Sequence, residues 1–238
     1  MKVDVGVRPA ATPSALVERL AEVRAELADA CRSAGRDPSA VRLVGVTKAQ
    51  LRETVAAAID AGLGDVGESY VQEARQKLAG LPAVRKHFIG HVQTNKARAI
   101  VETFDVVQSI DRIEAGRAIA RAARALGRSV QTLVQVNVSG TERHGVHPDG
   151  AVELAAALRA EGLEVDGVMA IGPITQDRAE LARAFSAAAD AFRCVGGSTL
   201  SIGMSDDWRV AVACGSTMVR LGTALFGSRP ARAAEGIG

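Results

Sequence analysis

The sequence has few aromatic residues, no paired cysteines and no long apolar run. Only 3% of its 238 residues are aromatic, so a folded core must consist mainly of aliphatic side chains. The three cysteines, Cys31, Cys194 and Cys214, lie far apart and form no Cys-x-x-Cys pair. This spacing favours reduced thiols in a cytosolic protein over a disulfide framework or a zinc site.

Neither sign of charge dominates the sequence. Lys and Arg number 29, Asp and Glu number 27, and the formal net charge is +2. This balance gives no electrostatic reason to expect a nucleic acid or an anionic membrane as a partner. No apolar run is long enough to span a bilayer, and the N-terminus lacks the apolar segment of a secretion signal. We therefore expect a cytoplasmic protein.

Apolar strands and helices alternate along most of the sequence. A leading helix is predicted over 12–34, where apolar residues recur every three or four positions before Gly35. Eight strands are predicted at Val41–Thr47, Asp65–Gly67, His87–Gly90, Asp105–Ser109, Val130–Val138, Val165–Ile171, Thr199–Met204 and Thr217–Leu221. Helices are predicted between them over 50–61, 69–79, 94–103, 111–126, 148–160, 177–192 and 206–213. Several strands are continuous apolar runs, which is typical of parallel strands covered on both faces.

This order of elements predicts an α/β fold, a single (β/α)8 TIM barrel with an extra N-terminal helix. An open doubly wound sheet is the alternative, but no Gly-x-Gly-x-x-Gly follows the first strand. Because no Pro-, Gly- or Ser-rich linker interrupts the sequence, we predict one domain over 1–238. The barrel would span about 41–228, and a loosely ordered tail would follow over 229–238.

Lys48 stands where the first apolar strand gives way to a predicted helix. Lysine is rarely buried without a partner, and desolvation favours its neutral, nucleophilic amine. Such an amine can form a Schiff base with an aldehyde. The alternative is a side chain that reaches solvent from the end of the strand. Reactive groups of a barrel gather at the carboxyl ends of its strands, and the other strand ends of this sequence favour the first interpretation.

Polar residues follow several of the other predicted strands and would meet at the same end of the barrel. They are Glu68, Ser69, Tyr70, His91, Gln93, Asn95, Ser109, Asp111, Asn137 and Ser139. His87 and His91 are four residues apart but straddle a strand end, so a hydrogen-bonded histidine at the barrel mouth is favoured over a zinc site.

The last two strand ends are the most specific. Gly222-Thr223 follows the final strand, and the run from Ser201 to Ser205 ends the strand before it. Glycine lets backbone N–H groups approach an anion and hydroxyls add donors, so we predict a phosphate near Gly222-Thr223 and Ser201. Alternatively, Ser205 caps a helix that begins at Asp206-Asp207.

Arg220 interrupts an otherwise apolar strand and must therefore have a partner. Two interpretations stay open from the residues alone. One is a buried ion pair with Glu68 or Asp166, and the other is a contact with a bound ligand.

Six stretches of the sequence together form a recognisable pattern. They are LVGVTK at 43–48, VGESYVQE at 66–73, HFIGHVQTNK at 87–96, QVNVS at 135–139, GVMAI at 167–171 and LSIGMSDDWRVAVACGSTMVRLGTALFG at 200–227. With these stretches the chain resembles the pyridoxal phosphate homeostasis protein family, the alanine-racemase-like group also called YggS or PROSC proteins. The resemblance covers roughly residues 12–228. It implies a barrel like the N-terminal domain of alanine racemase.

The resemblance also implies a cofactor, pyridoxal 5′-phosphate (PLP), bound to Lys48 as a Schiff base. It places Arg220 opposite the pyridine nitrogen. The other implied cofactor contacts are Ser69, Asn137, Ser201, Ser205, Gly222 and Thr223. Ser69 departs from the family, which usually has Asn there. Arg143-His144 replaces a lysine that is often found after the fifth strand, so an accessory Schiff-base site in that loop is not expected.

The expected function follows from the residue opposite the pyridine nitrogen. An arginine only donates hydrogen bonds, so Arg220 would favour an unprotonated nitrogen and weaken PLP as an electron sink. The resemblance to racemases implies a tyrosine as second base, but the single tyrosine, Tyr70, stands early in a predicted helix, and no second domain closes the site. We therefore expect a monomeric, non-catalytic carrier in cellular PLP homeostasis, without a metal ion, whose partners are PLP and PLP-dependent apoenzymes.

Two alternatives stay open at this point. One is a PLP-dependent amino-acid racemase or a related small enzyme. The other is a barrel that binds a different phosphorylated metabolite, with Lys48 as an ion-pair partner.

Overall fold

The structure, a computed structural model, describes residues 13–140 and 142–227. The predicted tail over 229–238 therefore lies outside the described residues. Within the described part of the chain, no helix is long and apolar enough to cross a membrane.

Eight parallel strands close into a barrel in the order in which they follow one another along the chain. They are β1 (Arg42–Val46), β2 (Asp65–Glu68), β3 (Arg85–Phe88), β4 (Val106–Ile110), β5 (Gln131–Asn137), β6 (Glu164–Ile171), β7 (Thr199–Ser201) and β8 (Met218–Leu221). The closing pair is β1 with β8, in which Val44 lies opposite Arg220. The predicted (β/α)8 barrel is confirmed, and the open sheet is wrong because the last strand pairs with the first.

Helices connect the strands and cover the outside of the barrel. They are α1 (Pro13–Ser33), α2 (Arg52–Asp60), α3 (Val71–Leu78), α4 (Ala97–Thr103), α5 (Ile113–Leu126), α6 (Ala151–Ala160), α7 (Arg178–Val195), α8 (Trp208–Ala213) and α9 (Thr223–Phe226). The extra N-terminal helix is α1, which packs against α2, α8 and α9. The sequence did not predict α9, because four residues are too few for a helical period to be recognised.

The apolar core lies between the barrel and its helices. Outward-facing strand residues such as Val66, Val107 and Val168 join buried helix residues in one large cluster, and Leu16 and Leu20 of α1 belong to it. Burial of this aliphatic surface is the main stabilising contribution, as the low aromatic content predicts.

The interior of the barrel is unusually polar. Barrel interiors are mostly filled by branched apolar side chains. Here a hydrogen bond joins Ser201 of β7 to Gln108 of β4, and these strands are not neighbours, so the bond crosses the interior. His87 and Arg220 are buried beside it and extend the same polar layer. Because such groups need partners when buried, this layer has a specific hydrogen-bond pattern.

Candidate functional site

Lys48 lies just beyond the end of β1, at the carboxyl-terminal mouth of the barrel. Its side chain is half-buried. The next residue, Ala49, has a φ of +60°, a conformation that residues other than glycine rarely adopt. The backbone N–H of Ala49 donates to Oε1 of Glu73 at 2.7 Å. A specific contact from α3 thus holds the turn at Lys48 (residues 47–49) in a strained conformation.

A second lysine, Lys77 of α3, supports the same turn and was not singled out from the sequence. Its Nζ donates to the carbonyl oxygen of Thr47 at 2.6 Å, to Oε1 of Glu68 at 2.8 Å and to Oε1 of Glu73 at 2.6 Å. These bonds use all three ammonium hydrogens. Lys77 is only 7% exposed, although a Glu and a Lys four residues apart on a helix are ordinarily a surface pair.

Glu68 is fully buried and belongs to this support. Its Oε1 accepts a hydrogen bond from the Thr47 hydroxyl at 2.6 Å as well as from Lys77. Its Oε2 is buried and has no hydrogen-bond partner among the described residues. Burial raises the pKa of Glu68, and the bonds from Lys77 and Thr47 oppose that rise.

Arg220 has neither of the carboxylate partners that the sequence suggested. Glu68 binds Lys77, and Asp166 accepts hydrogen bonds from the hydroxyls of Ser198 and Thr199, so both suggested ion pairs are wrong. The pair with Glu68 is excluded by the alternation of side chains along each strand, which turns Glu68 toward the helices and Arg220 toward the barrel interior.

The guanidinium of Arg220 is held mainly by oxygen atoms without charge. Nη1 donates to the carbonyl oxygen and the hydroxyl of Ser201, both at 2.7 Å, and Nη2 donates to the carbonyl oxygen of Ala170 at 2.9 Å. Burial lowers the pKa of Arg220 to about 10, and the nearby Asp207 carboxylate opposes the shift. Arg220 therefore remains a cation at neutral pH.

Ser201 connects Arg220 to the rest of the polar interior. Its hydroxyl donates to Oε1 of Gln108 at 2.7 Å, and Nε2 of Gln108 lies 2.9 Å from Nδ1 of His87. Nε2 of His87 lies 2.8 Å from Oδ1 of Asp65. His87 is thus a hydrogen-bonded histidine inside the barrel, and Ser201 is directed at Arg220 and Gln108.

The loops after β7 and β8 meet at Ser205. Its hydroxyl oxygen accepts from the backbone N–H of Gly222 at 3.3 Å and from that of Ala224 at 3.2 Å. Ser205 therefore caps the start of α9. The predicted alternative, a cap on a helix that begins at Asp206, is wrong because α8 begins at Trp208 and is preceded by Asp207.

Gly203 shapes the loop that carries Ser205. Its φ is +99°, and a Cβ atom there would lie 2.8 Å from Cβ of Ala211 and 2.9 Å from Cα of Trp208. Only glycine fits such a position without displacement of α8. The predicted strand Thr199–Met204 ends at Ser201, although the backbone of residues 202 and 203 still bonds to β8.

Asn137 ends β5 and organises the loop that follows it. Its Nδ2 donates to the carbonyl oxygen of Arg143 at 3.0 Å, and its Oδ1 accepts from the Ser139 backbone and hydroxyl. A cavity of about 580 Å³ opens beside this loop, lined in part by Asn137, Arg143 and His144. Asn137 therefore lies on the wall of a cavity large enough for a small ligand.

His91, Asp111 and His144 form a further group at the mouth, and His144 was not expected there. The two imidazole rings stack with centroids 3.9 Å apart and planes 18° apart, and each Nδ1 is 3.6 Å from Oδ2 of Asp111. Burial and the neighbouring His144 lower the pKa of His91. A metal ion bound by both rings would lie in the plane of each, and nearly parallel stacked rings share no such point.

The barrel brings most of the predicted site residues to one end. Gly222 follows β8 and faces Val46 of β1, with a Cβ position 3.6 Å from Cβ of Val46. Lys48 lies two residues beyond Val46, so the lysine and the predicted phosphate loop are neighbours. Ser69 follows β2 on the other side of Lys48, where its carbonyl oxygen would be 2.2 Å from a Cβ atom at Gly90.

Comparison with known proteins relates this arrangement to a family. The sequence profile of the family named alanine racemase, N-terminal domain, matches residues 15–230. The pyridoxal phosphate homeostasis protein of Pseudomonas aeruginosa is 40% identical over 223 residues, which cover 91% of this chain and 96% of the relative. The protein of the same name from Escherichia coli K12 is 36% identical over 229 residues, with 90% and 97% of the two chains covered.

Solved structures show the same fold. PipY of Synechococcus elongatus, with PLP bound, matches with a TM-score of 0.77 and 34% identity over 89% of this chain and all of its own. D-threonine aldolase of Filomicrobium marinum matches with a TM-score of 0.73 at 21% identity, over 94% of this chain and 63% of its own. The second match shows the likeness of fold alone.

Proposed function

The chain belongs to the pyridoxal phosphate homeostasis protein family, and we propose that it carries PLP on Lys48 as a Schiff base without strong catalysis of its own. The observation that carries this proposal is the pairing of β1 with β8, because Lys48 follows β1, Gly222 follows β8 and Arg220 lies within β8, so all three belong to one side of the barrel. All three match family stretches, and PipY, a relative of known structure, has PLP bound.

The residues at the mouth fit the chemistry of PLP. An amine suits its aldehyde, a guanidinium donor suits its pyridine nitrogen, and backbone N–H groups with hydroxyls suit its phosphate. With the residues that the structure describes, Arg220 makes three bonds through three of its five N–H groups, so two are available to a ligand. PLP, when bound, supplies an electrophilic aldehyde and an electron sink.

We assign the phosphate to Gly222, Thr223 and Ser205. The Ser205 oxygen accepts from the backbone N–H groups of Gly222 and Ala224, so the hydroxyl hydrogen of Ser205 can be donated to a phosphate beside Gly222, and Thr223 adds a second hydroxyl. Ser201 supports Arg220, since its carbonyl and hydroxyl oxygens both accept from Nη1. Ser69 and Asn137 remain proposed cofactor contacts on the β2 and β5 sides of the mouth.

A carrier is favoured over a racemase by two observations. Arg220 stays protonated and donates, so it does not keep a proton on the pyridine nitrogen. Tyr70, the single tyrosine of the sequence, is 64% exposed at the residue before α3, and no side-chain hydrogen bond to the described part of the chain positions it as a second base. Delivery of PLP to apoenzymes, a monomeric state and a cytoplasmic location stay predictions.

Borohydride reduction followed by peptide mass spectrometry tests the linkage. PLP should be trapped on Lys48, and Lys48→Ala should lose the label and the yellow colour while it remains folded. Lys96→Ala is the matched control, because Lys96 is an exposed lysine that follows β3 at the same end of the barrel as Lys48. Label on Lys96 with none on Lys48 would contradict the assignment.

Exchange of the α-proton of L-alanine in deuterium oxide separates carrier from racemase. The exchange rate with the wild type should not exceed the rate with Lys48→Ala supplied with the same amount of PLP. Exchange with formation of D-alanine at an ordinary enzymatic turnover of about 1–1000 per second would establish the racemase instead.

A further inference from the structure

Five side chains form one continuous series of hydrogen bonds through the barrel interior. The interior series consists of Asp65, His87, Gln108, Ser201 and Arg220. It begins at the first residue of β2, passes through β3 and β4, crosses to β7 and ends on β8. Asp65 has a side chain 16% exposed, and the other four residues are buried.

The hydrogen bonds of the interior series are all donated in one direction, from Arg220 toward Asp65. Arg220 can only donate, so the hydroxyl oxygen of Ser201 accepts from Nη1 and its hydrogen is directed to Oε1 of Gln108. The Gln108 amide nitrogen then donates to His87 and also to Sδ of Met218 at 3.2 Å.

His87 completes the direction. Its Nδ1 must accept from Gln108, so its single proton lies on Nε2 and is donated to the Asp65 carboxylate. Burial lowers the pKa of His87, which keeps the ring neutral and able to accept at Nδ1. Every link therefore has one donor and one acceptor, and the series runs from a cation to an anion.

We propose that Gln108 and His87 are positioning residues for the cofactor, which hold the Arg220 guanidinium in place through Ser201. This inference rests on the proposed function, because it takes Arg220 as a contact of bound PLP. The role follows from the surroundings of Arg220: among residues 13–140 and 142–227, its hydrogen bonds go to Ser201 and Ala170, and Asp207 is the carboxylate whose charge acts on it without a hydrogen bond. Its orientation depends on neutral acceptors, and the Ser201 hydroxyl is oriented and strengthened as an acceptor by the hydrogen bond that it donates to Gln108.

Substitutions at His87 and Gln108 test the proposal without touching Arg220. Gln108→Leu and His87→Leu remove links, whereas His87→Asn keeps an acceptor oxygen near the position of Nδ1. Thr132→Val is the matched control, since Thr132 is equally buried but its hydroxyl donates to the Glu164 carbonyl outside the series. Thermal melting confirms that each variant is folded before PLP is added.

The two leucine variants should weaken PLP binding about tenfold, the effect of one impaired hydrogen bond to a charged group. The yellow colour of PLP on Lys48 is lost as the pH rises and the Schiff-base nitrogen loses its proton. In the leucine variants the midpoint of this loss should lie about one pH unit lower, because a pyridine nitrogen released by Arg220 can gain a proton. His87→Asn should restore both properties toward wild type, and Thr132→Val should change neither.

The outcomes separate this inference from the proposed function. No borohydride label on wild-type Lys48 contradicts the proposed function. If wild-type Lys48 is labelled normally but Gln108→Leu and Thr132→Val have the same PLP affinity and the same pH midpoint, the positioning role alone is overturned.

Nitrogen-15 NMR of the histidine rings, in protein without PLP, tests the direction of the interior series even if a leucine variant fails to fold. We expect His87 to be neutral at neutral pH, with its proton on Nε2. A proton on Nδ1, or a charged ring, would reverse the Gln108 amide and overturn the inference.

Discussion

Replacement of Lys77 by methionine should destabilise the protein more than any exposed charge substitution. Methionine keeps most of the apolar volume of the lysine stem and removes the three hydrogen bonds to Thr47, Glu68 and Glu73. It leaves Glu68, which is fully buried, without the cation that balances it. Removal of one partner of a buried ion pair costs about 3–5 kcal/mol, so Lys77→Met should lose that much stability at about pH 8.

The loss should depend on pH in a defined direction. Burial raises the pKa of Glu68, so the folded state binds this proton more tightly than the unfolded state does. The stability from that protonation is present at low pH and is lost as the pH rises through the folded-state pKa. Lys77 lowers the pKa of Glu68, so its removal moves this loss to higher pH. The penalty of Lys77→Met should therefore shrink between about pH 8 and about pH 5.

Urea denaturation followed by circular dichroism measures the effect. Arg117→Met is the matched control, because Arg117 pairs with Glu161 at 2.9 Å but its side chain is 55% exposed. Such a surface pair contributes about 0–1 kcal/mol. The double variant Lys77→Met with Glu68→Gln should recover much of the loss, because the amide stays neutral and can still accept from Thr47.

A Lys77→Met variant as stable as Arg117→Met at about pH 8 would refute this reasoning. A loss of stability that grows as the pH falls would also refute it, since that result would mean that Glu68 stays ionised in the folded variant at little cost in free energy. Borohydride labelling of the same variant connects stability with the site. Less label on Lys48 is expected, because the Thr47 carbonyl loses one of its two donors and Glu73, which holds Ala49, loses its bond to Lys77.

Two further predictions concern the proposed phosphate loops. Thr223→Val keeps the shape of the side chain and removes one donor, so the Kd for PLP should rise by roughly ten- to a hundredfold, whereas pyridoxal without phosphate should lose little. Equal losses for both ligands, measured by absorbance titration, would place the phosphate elsewhere. Gly203→Ala should lower the melting temperature more than Gly215→Ala, because both residues have φ near +100° (+99° and +97°) but only a Cβ at Gly203 would meet neighbouring atoms, at 2.8 and 2.9 Å. Equal melting temperatures would show that α8 moves away from residue 203 without cost.

The barrel could be predicted because its signals are local. Each strand is a short apolar run, each helix has its own period, and their alternation leaves few topologies. The ends of helices and strands are harder to predict from sequence where tertiary contacts determine them. The helix predicted over 206–213 begins only at Trp208, after a turn in which the Asp207 carboxylate accepts from the Met204 N–H at 2.6 Å.

Part of the candidate site was also predictable from sequence. Parallel strands of a barrel deliver their carboxyl ends to one mouth, so Lys48, Gly222 and Thr223 had to lie at the same end. The partners of these residues could not be predicted in the same way. Opposite charge on two strand residues favours a pair of Glu68 with Arg220, but the alternation of side chains along each strand turns the two residues to opposite faces of the barrel.

The sequence by itself determined the fold, the family and the place of Lys48 at the end of the first strand, because these depend on periodicity and on motifs within single segments. Only the tertiary structure decided that Lys77 is buried beneath the turn at Lys48 and that Arg220 is held by the interior series. The link from Ser201 to Gln108 joins residues 93 positions apart on strands that are not neighbours. No local pattern encodes such a contact, because it exists only once the last strand has closed the barrel against the first.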